Sequence, residues 1–422
     1  RLMDSLRRFF RNLGPGLITG AADDDPSGIS TYSVAGATTG YSMLWLALVS
    51  TPMMAVIQGM CARISMVTGE GIAAVMRKQL PALLGYALAG LVIVANTFNV
   101  GADIGGMADA THLVVPIPTD ALVFFFGIGL IAAQIWLSYA LITRFFKWLT
   151  LALFAYVITA FVVHPPWGQV LAAFALPHVK FDSGWLSTMV GVLGTTITPY
   201  LFYWQSSLMV EEEREAGKTT LAARRGTTAK AVRAMHADVN TGMIYSNLVA
   251  FFIIVTTAST LGAHGKTDIA TAQQAAAALR PLAGPVAELL FALGMVGTGI
   301  LAVPVLATSS AYVAAQTFRF REGLSEPLHR ASRFYFAIVA GILIGIGMNL
   351  LHVNAIKALF WSAVLNGVAA VPLLAVIVWL ASNRRIMGEW TSSPLARIWG
   401  WATFALMGSA TVGMFYFTFR HG

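Results

Sequence analysis

Gly20-Ala21-Ala22-Asp23-Asp24-Asp25-Pro26-Ser27-Gly28 sets three carboxylates, a proline and a glycine inside an otherwise apolar stretch. Further along, Gly194-Thr195-Thr196-Ile197-Thr198-Pro199-Tyr200 combines three threonines with a second such proline. Neither stretch reads as a continuous helix. Proline lacks a backbone donor and clashes with the preceding turn, and Gly28 tolerates unusual dihedrals. In lipid a free backbone group costs several kcal/mol, so such breaks survive only where they line a cavity or are buried in protein.

The surrounding sequence is that of a membrane protein. Of 422 residues, 57% are hydrophobic and only 11% charged, with mean hydropathy +0.71. A soluble domain keeps roughly 25% charged residues and cannot leave so much apolar surface wet. Apolar runs near the roughly 20 residues that cross a bilayer recur throughout. Spans are expected near 14–37, 41–62, 84–110, 120–142, 148–166, 184–209, 239–261, 284–316, 334–352, 355–381 and 397–418. The fold class is therefore an all-α integral membrane protein of about eleven transmembrane helices. Arg7, Arg8 and Arg11 lead into a first span without the clean apolar core of a cleavable signal peptide. The chain opens on Arg1, and its natural N-terminus is expected further upstream.

The basic residues support this count. With the N-terminus inside, only Lys180, Lys266, Arg280, Lys357 and Arg420 of the 27 Lys and Arg fall outside. One added or missed helix would scramble that asymmetry, so the positive-inside rule favours eleven spans, N-in and C-out, in a plasma membrane (the inner membrane of a bacterium). The net charge of +8 is then a topological signal, and no basic soluble face is left for nucleic acid. Cys61 is the only cysteine, which excludes internal disulfides and makes thiolate metal sites a poor reading.

The breaks lie in spans one and six, so each opens a block of five helices. Five is odd, so the second block enters from the opposite face. This is an inverted repeat, and paired broken helices point to a transporter's binding site. The arrangement resembles the LeuT-type fold. It divides the chain into an N-terminal cytoplasmic segment 1–13, a first repeat 14–166, a second repeat 184–381 and an eleventh helix 397–418. Residues 211–237, with Glu211-Glu212-Glu213 and Arg224-Arg225, form the long polar stretch within the second repeat and read as a solvated cytoplasmic linker with some helix.

A carboxylate at the bilayer centre costs at least roughly 2.5–3.5 kcal/mol. No Lys or Arg within a span offers Asp23, Asp24 or Asp25 a clear partner. They face water, carry protons, or hold a cation. Asp25, next to the break, is the first candidate ligand; Asp23 and Asp24 are also candidates, or line a vestibule, or cap the following half-helix.

These motifs, with the helix count, resemble the NRAMP (natural resistance-associated macrophage protein) family of metal-ion transporters across nearly the whole chain. Gly14-Pro15-Gly16, the broken first helix, Thr39-Gly40-Tyr41, Trp45 and Ala62-Arg63-Ile64-Ser65-Met66-Val67-Thr68-Gly69 carry the resemblance. In the family the first motif reads Asp-Pro-Gly-Asn, with Asp and Asn as ligands. Here Asp25 is kept and the Asn position is Gly28. The family's sixth-helix Met-Pro-His reads Thr198-Pro199-Tyr200, and a backbone carbonyl ligand would fall at Thr195. Thioethers select soft ions, whereas carboxylate, hydroxyl and carbonyl suit Mg²⁺ and Mn²⁺. Loss of Met and Asn is expected to widen the pocket, and Mg²⁺ usually stays partly hydrated. The pattern looks like the NRAMP-related magnesium transporter branch.

In proton-coupled relatives an Asp, a Glu and a His form the proton route. The matching positions are Asn99, Ala102 and Tyr200, none titratable near neutrality. Transport is thus expected without proton coupling, along an apolar third helix that offers no continuous relay, with Asp103 and Asp109 its remaining acids. Asn366, beside Gly367 in the tenth span, is a further candidate ligand. The resemblance implies no cofactor; Mg²⁺ or Mn²⁺ is cargo, the partners are that ion and the bilayer, and no oligomer is required. The alternatives are a proton-coupled Mn²⁺/Fe²⁺ transporter and a sodium-coupled amino-acid transporter. Three acids beside the break argue against a substrate carboxylate there. An enzyme is not expected, since no His-Glu-x-x-His motif or Ser–His pairing is present.

Overall fold

A computed structural model describes residues 19–20, 22–137, 149–324 and 326–421. The expected segment 1–13 and the Gly14-Pro15-Gly16 motif lie outside the described residues. The first span breaks at Asp24–Asp25 and resumes as α1 (Pro26–Thr39). There follow α2 (Leu44–Thr68), α3 (Ala82–His112), α4 (Thr119–Trp136), α5 (Phe154–Val162) and α6 (Trp167–Ala175). The second block comprises α7 (Ser183–Thr196), α8 (Pro199–Glu215), α9 (Ala229–Thr260), α10 (Ala287–Phe318), α11 (Ser332–Asn349) and α12 (Ala355–Ser382), with α13 (Pro394–His421) after it.

Among the described residues, eight helices are each long and apolar enough to cross a bilayer, from α2 to α13. Leu151–Val162 and α6 form a bent pair at 119°, so the fifth crossing turns sharply at its end. The sixth span is the broken pair α7 and α8, and most of the entering half of the first span lies outside the described residues. The resumed halves of both spans, 14 and 17 residues long, are about 21 and 26 Å and fall short of a hydrocarbon core of about 30 Å alone. Trp136, Phe336 and Val412 are among large apolar side chains left exposed; a lipid-facing rim explains them, where a water-facing one would not.

The broken helices reach the centre because glycine lets backbones touch. A Cβ on Gly20 would lie 2.3 Å from the Gly242 carbonyl oxygen of α9. One on Gly194 would lie 2.1 Å from the Ala363 carbonyl of α12, whose Gly367 packs back on Val190. Close small-residue crossings of this kind replace the hydrophobic effect as the packing force in lipid.

Most of the polar stretch 211–237 is exposed and much of it is helical, with Arg224 seated against protein. α8 runs through Glu215, a short helix covers Leu221–Arg224, and α9 begins at Ala229. Arg224 is 8% exposed; its guanidinium donates to the carbonyls of Gly69, Lys218 and Thr219. Gly69, at φ +71°, ends α2 beneath it, and a Cβ there would strike Arg224 at 2.9 Å. Nearby, Arg214 of α8 pairs with Glu211 at 3.2 Å and with Glu322, beyond α10, at 3.7 Å. Tyr312 of α10 also donates to Glu211. Burial outweighs Arg214 at Glu322 and pushes its carboxyl up to about 7.

Candidate functional site

The two breaks share one backbone plan. Asp25 and Thr198 are extended N-cap residues (ψ 170° and 136°), each followed by proline at the first helical position. Proline suits that position because its missing N–H would be unpaired anyway. The same prolines remove the helical donors for the carbonyls four residues earlier, Ala22 and Thr195. The Tyr200 hydroxyl donates to the Ala22 carbonyl at 2.9 Å. Among the described residues no such donor reaches the Thr195 carbonyl.

Asp25 caps α1: its Oδ1 accepts from the Gly28 amide at 2.6 Å and the Ser27 hydroxyl at 2.7 Å. The cap role considered for Asp23 or Asp24 therefore belongs to Asp25. Its Oδ2 accepts from the Asn99 amide of α3 at 3.0 Å, so that oxygen keeps lone-pair capacity. A Cβ on Gly28 would lie 3.1 Å from Thr195 Oγ1 and 3.3 Å from Asp25 Oδ1. The two breaks thus meet at Gly28, and Thr195 occupies much of the space that loss of an Asn side chain was expected to open.

Among the described residues, Thr198 Oγ1 is buried without a hydrogen-bond partner, and so are both amide atoms of Asn366. Gly367, the neighbour of Asn366, forms the crossing with Gly194, which sets this stretch of α12 beside the sixth-span break. Asp23 and Asp24 turn elsewhere. Both approach Ser246 of α9, whose Oγ lies 2.6 Å from Asp23 Oδ2 and 3.1 Å from Asp24 Oδ1. Among the described residues no three His, Cys, Asp or Glu side chains converge on one point. The three consecutive aspartates therefore do not form a single cage.

The third span corrects the expectation of a plain apolar helix. Asn96, Asn99 and Asp103 are fully buried on α3 at i, i+3, i+7 spacing, one helical face. Asn96 and Asp103 have no side-chain hydrogen-bond partners, and Asp103 lies within electrostatic reach of Asp25 and Tyr200. Ala102 is buried beside them. Asp109 is only partly buried, toward Ala272 and His112. Sequence reasoning missed Asn96 and Ser246. The polar i, i+3, i+7 spacing was a usable signal for Asn96; Ser246 carried none, because only tertiary packing brings α9 to the break.

A membrane bundle with two discontinuous helices meeting at buried polar groups is the architecture of a LeuT-fold transporter. A manganese transporter of Eremococcus coleocola superposes with TM-score 0.73 at 17% identity, covering 95% of this chain and 85% of that one. MhsT, in complex with L-phenylalanine, superposes at 0.58 with 11% identity, covering 95% and 97%. The family model described as natural resistance-associated macrophage protein-like matches residues 16–417, and the chain belongs to this Nramp family of transporters. Among relatives, the divalent metal cation transporter MntH of Agrobacterium fabrum is 28% identical, over 93% of this chain and 83% of its own. That of Aeromonas hydrophila is 27% identical, over 94% and 93%. Since the same fold holds L-phenylalanine in MhsT, fold alone does not choose the substrate.

Proposed function

We propose that this divalent metal transporter works by alternating access and prefers a hard, partly hydrated ion, Mg²⁺ and also Mn²⁺, without obligatory proton movement. Asp25 supplies the charge, the Thr195 carbonyl and Thr198 hydroxyl supply neutral oxygens, and Asn366 approaches from α12. Retained water completes the shell, with Gly28 giving no side-chain ligand where Thr195 Oγ1 crowds the position. The chain sits N-in and C-out in a bacterial inner membrane, organised as the repeats 14–166 and 184–381 with α13 appended.

The observation that carries the ion preference is the free oxygen set at the sixth-span break. Thr198 Oγ1 is unpartnered and the Thr195 carbonyl has lost its helical donor to Pro199. Oxygen donors of this kind suit Mg²⁺ and Mn²⁺ better than softer ions, and one carboxylate with retained water is the usual way to hold Mg²⁺. The absence of coupling rests on Asn99. Where an acid would titrate, an amide donates to Asp25 and cannot change charge.

A second reading is proton-coupled Mn²⁺ transport, favoured by Asp103, buried within electrostatic reach of Asp25. One experiment separates the two: Mg²⁺ and Mn²⁺ uptake into proteoliposomes with internal pH recorded. Uptake of both ions without acidification is expected. Acidification that tracks and saturates with uptake overturns the uncoupled reading, and its loss in Asp103→Asn would assign the relay. A sodium-coupled amino-acid carrier would take up neither ion.

A further inference from the structure

We propose that Asp23, Asp24 and Ser246 form a second cation subsite, separate from Asp25, through which a hard divalent ion passes; this rests on the reading that Asp25 holds the cargo ion. The carboxylates are 0% and 1% exposed. Both reach the single Ser246 hydroxyl, which has one proton and can satisfy only one of them. Among the described residues, their outer oxygens, Asp23 Oδ1 and Asp24 Oδ2, are buried with no partner. Among the described residues, the charged groups acting on the pair are each other and Asp25, all of one sign.

A further buried side chain lies between the pair and the break, its ring against Gly28. The Tyr32 hydroxyl of α1 is fully buried and unpartnered. It lies within electrostatic reach of Asp23 and Asp24 as well as Asp25, with Thr195 close by but outside hydrogen-bond geometry. Two carboxylates and two hydroxyls, without a cationic side chain, make an oxygen-only ligand set suited to Mg²⁺ or Mn²⁺. Burying like charges together is costly unless something positive joins them. Asp25 is turned toward Ser27, Gly28 and Asn99, whereas this pair is turned toward α9. An ion leaving Asp25 toward α9 meets the pair next.

Mn²⁺ binding to the purified full chain in detergent, measured by equilibrium titration and electron paramagnetic resonance, tests this. The Asp25→Asn variant should still bind one Mn²⁺ per chain. Adding Asp23→Asn should remove that site, and adding Ser246→Ala instead should weaken it about tenfold, as loss of a supporting partner does at metal sites. If the Asp25→Asn chain binds no Mn²⁺, or binds it equally well with Asp23→Asn added, the pair is neutralised by protons and the subsite is overturned. Should the Asp23→Asn variant fail to fold, Ser246→Ala decides, and unchanged affinity there overturns the proposal. Wild-type uptake by the Asp25→Asn chain would instead remove Asp25 from the main site, a separate result.

Discussion

At both breaks a proline strips a carbonyl of its helical donor, yet the two carbonyls have different fates. In the first span the Ala22 carbonyl is taken up by the Tyr200 hydroxyl, and the N-cap carboxylate of Asp25 is bonded at both oxygens. In the sixth span the Thr195 carbonyl lost its donor to Pro199, and the N-cap hydroxyl of Thr198 is unpartnered. One break carries charge and is internally satisfied. The other is neutral and has unused acceptors. The shared backbone plan thus leaves two different chemistries: a charged, capped carboxylate at the first break, and at the second neutral oxygens whose unmet hydrogen-bonding capacity is costly until something binds them.

The largest effect should come from taking the charge out of the first break. Asn caps a helix about as well as Asp, whereas Ala loses about 1 kcal/mol of cap energy. Asp25→Asn should thus keep thermal stability and lose metal uptake to the background of empty liposomes, while Asp25→Ala loses both. Uptake at the wild-type rate in Asp25→Asn would end the division between charged and neutral breaks.

Next in size is an exchange of character at the second break. Thr198→Met brings a thioether to the site and should raise competition by Cd²⁺ against Mg²⁺ about tenfold, roughly 1.4 kcal/mol. Adding Gly28→Asn should help less, because its Cβ would lie 3.1 Å from Thr195 Oγ1 and displace that hydroxyl. Competition that stays unchanged in both variants would show that donor softness does not set selectivity.

Tyr200→Phe should make the breaks more alike by orphaning the Ala22 carbonyl. An unsatisfied buried acceptor costs about 1–3 kcal/mol, to be read as a lower unfolding temperature with the metal competition profile retained. No change in thermal stability would mean that water replaces the phenol.

The smallest effect concerns the far end of α8, which Arg214 ties to Glu211 and Glu322; the far end of α1 has no such tie among the described residues. The folded-state value of Glu322 is raised to about 7, so its charged form is the penalised one. Its contribution to stability is full below the ordinary glutamate range and is lost as pH rises through about 7. Hydrogen exchange of α8 amides, corrected for intrinsic rate, should accelerate a few-fold between pH 6 and pH 8, with α1 unchanged. Glu322→Gln should abolish the difference; if it persists, another group carries it.

Much of this was legible in the sequence, for reasons that differ by residue. Pro26 and Pro199 act through local covalent geometry, so both breaks can be read without any tertiary knowledge. The membrane class follows from composition. Asn99 was readable as a position that cannot titrate, but not as the donor to Asp25, because that bond joins residues 74 positions apart. The separation of Asp23 and Asp24 from Asp25 was not legible either. Consecutive residues at a break have no fixed periodicity, and only the position of Ser246 on α9 shows which way they turn. The seating of Arg224 on Gly69 was hidden for a similar reason, since a charged run looks solvated until its docking surface is known.

The contact between Gly20 and Gly242 has a mechanical consequence. With no side chains between them, the entering half of the first span bears directly on α9, and a Cβ at position 20 would stand 2.3 Å from a carbonyl oxygen. Backbone atoms cannot yield as a flexible side chain can. A single methyl at position 20 would act as a wedge against α9 that this arrangement cannot absorb, and it would do so without touching any of the proposed ligands.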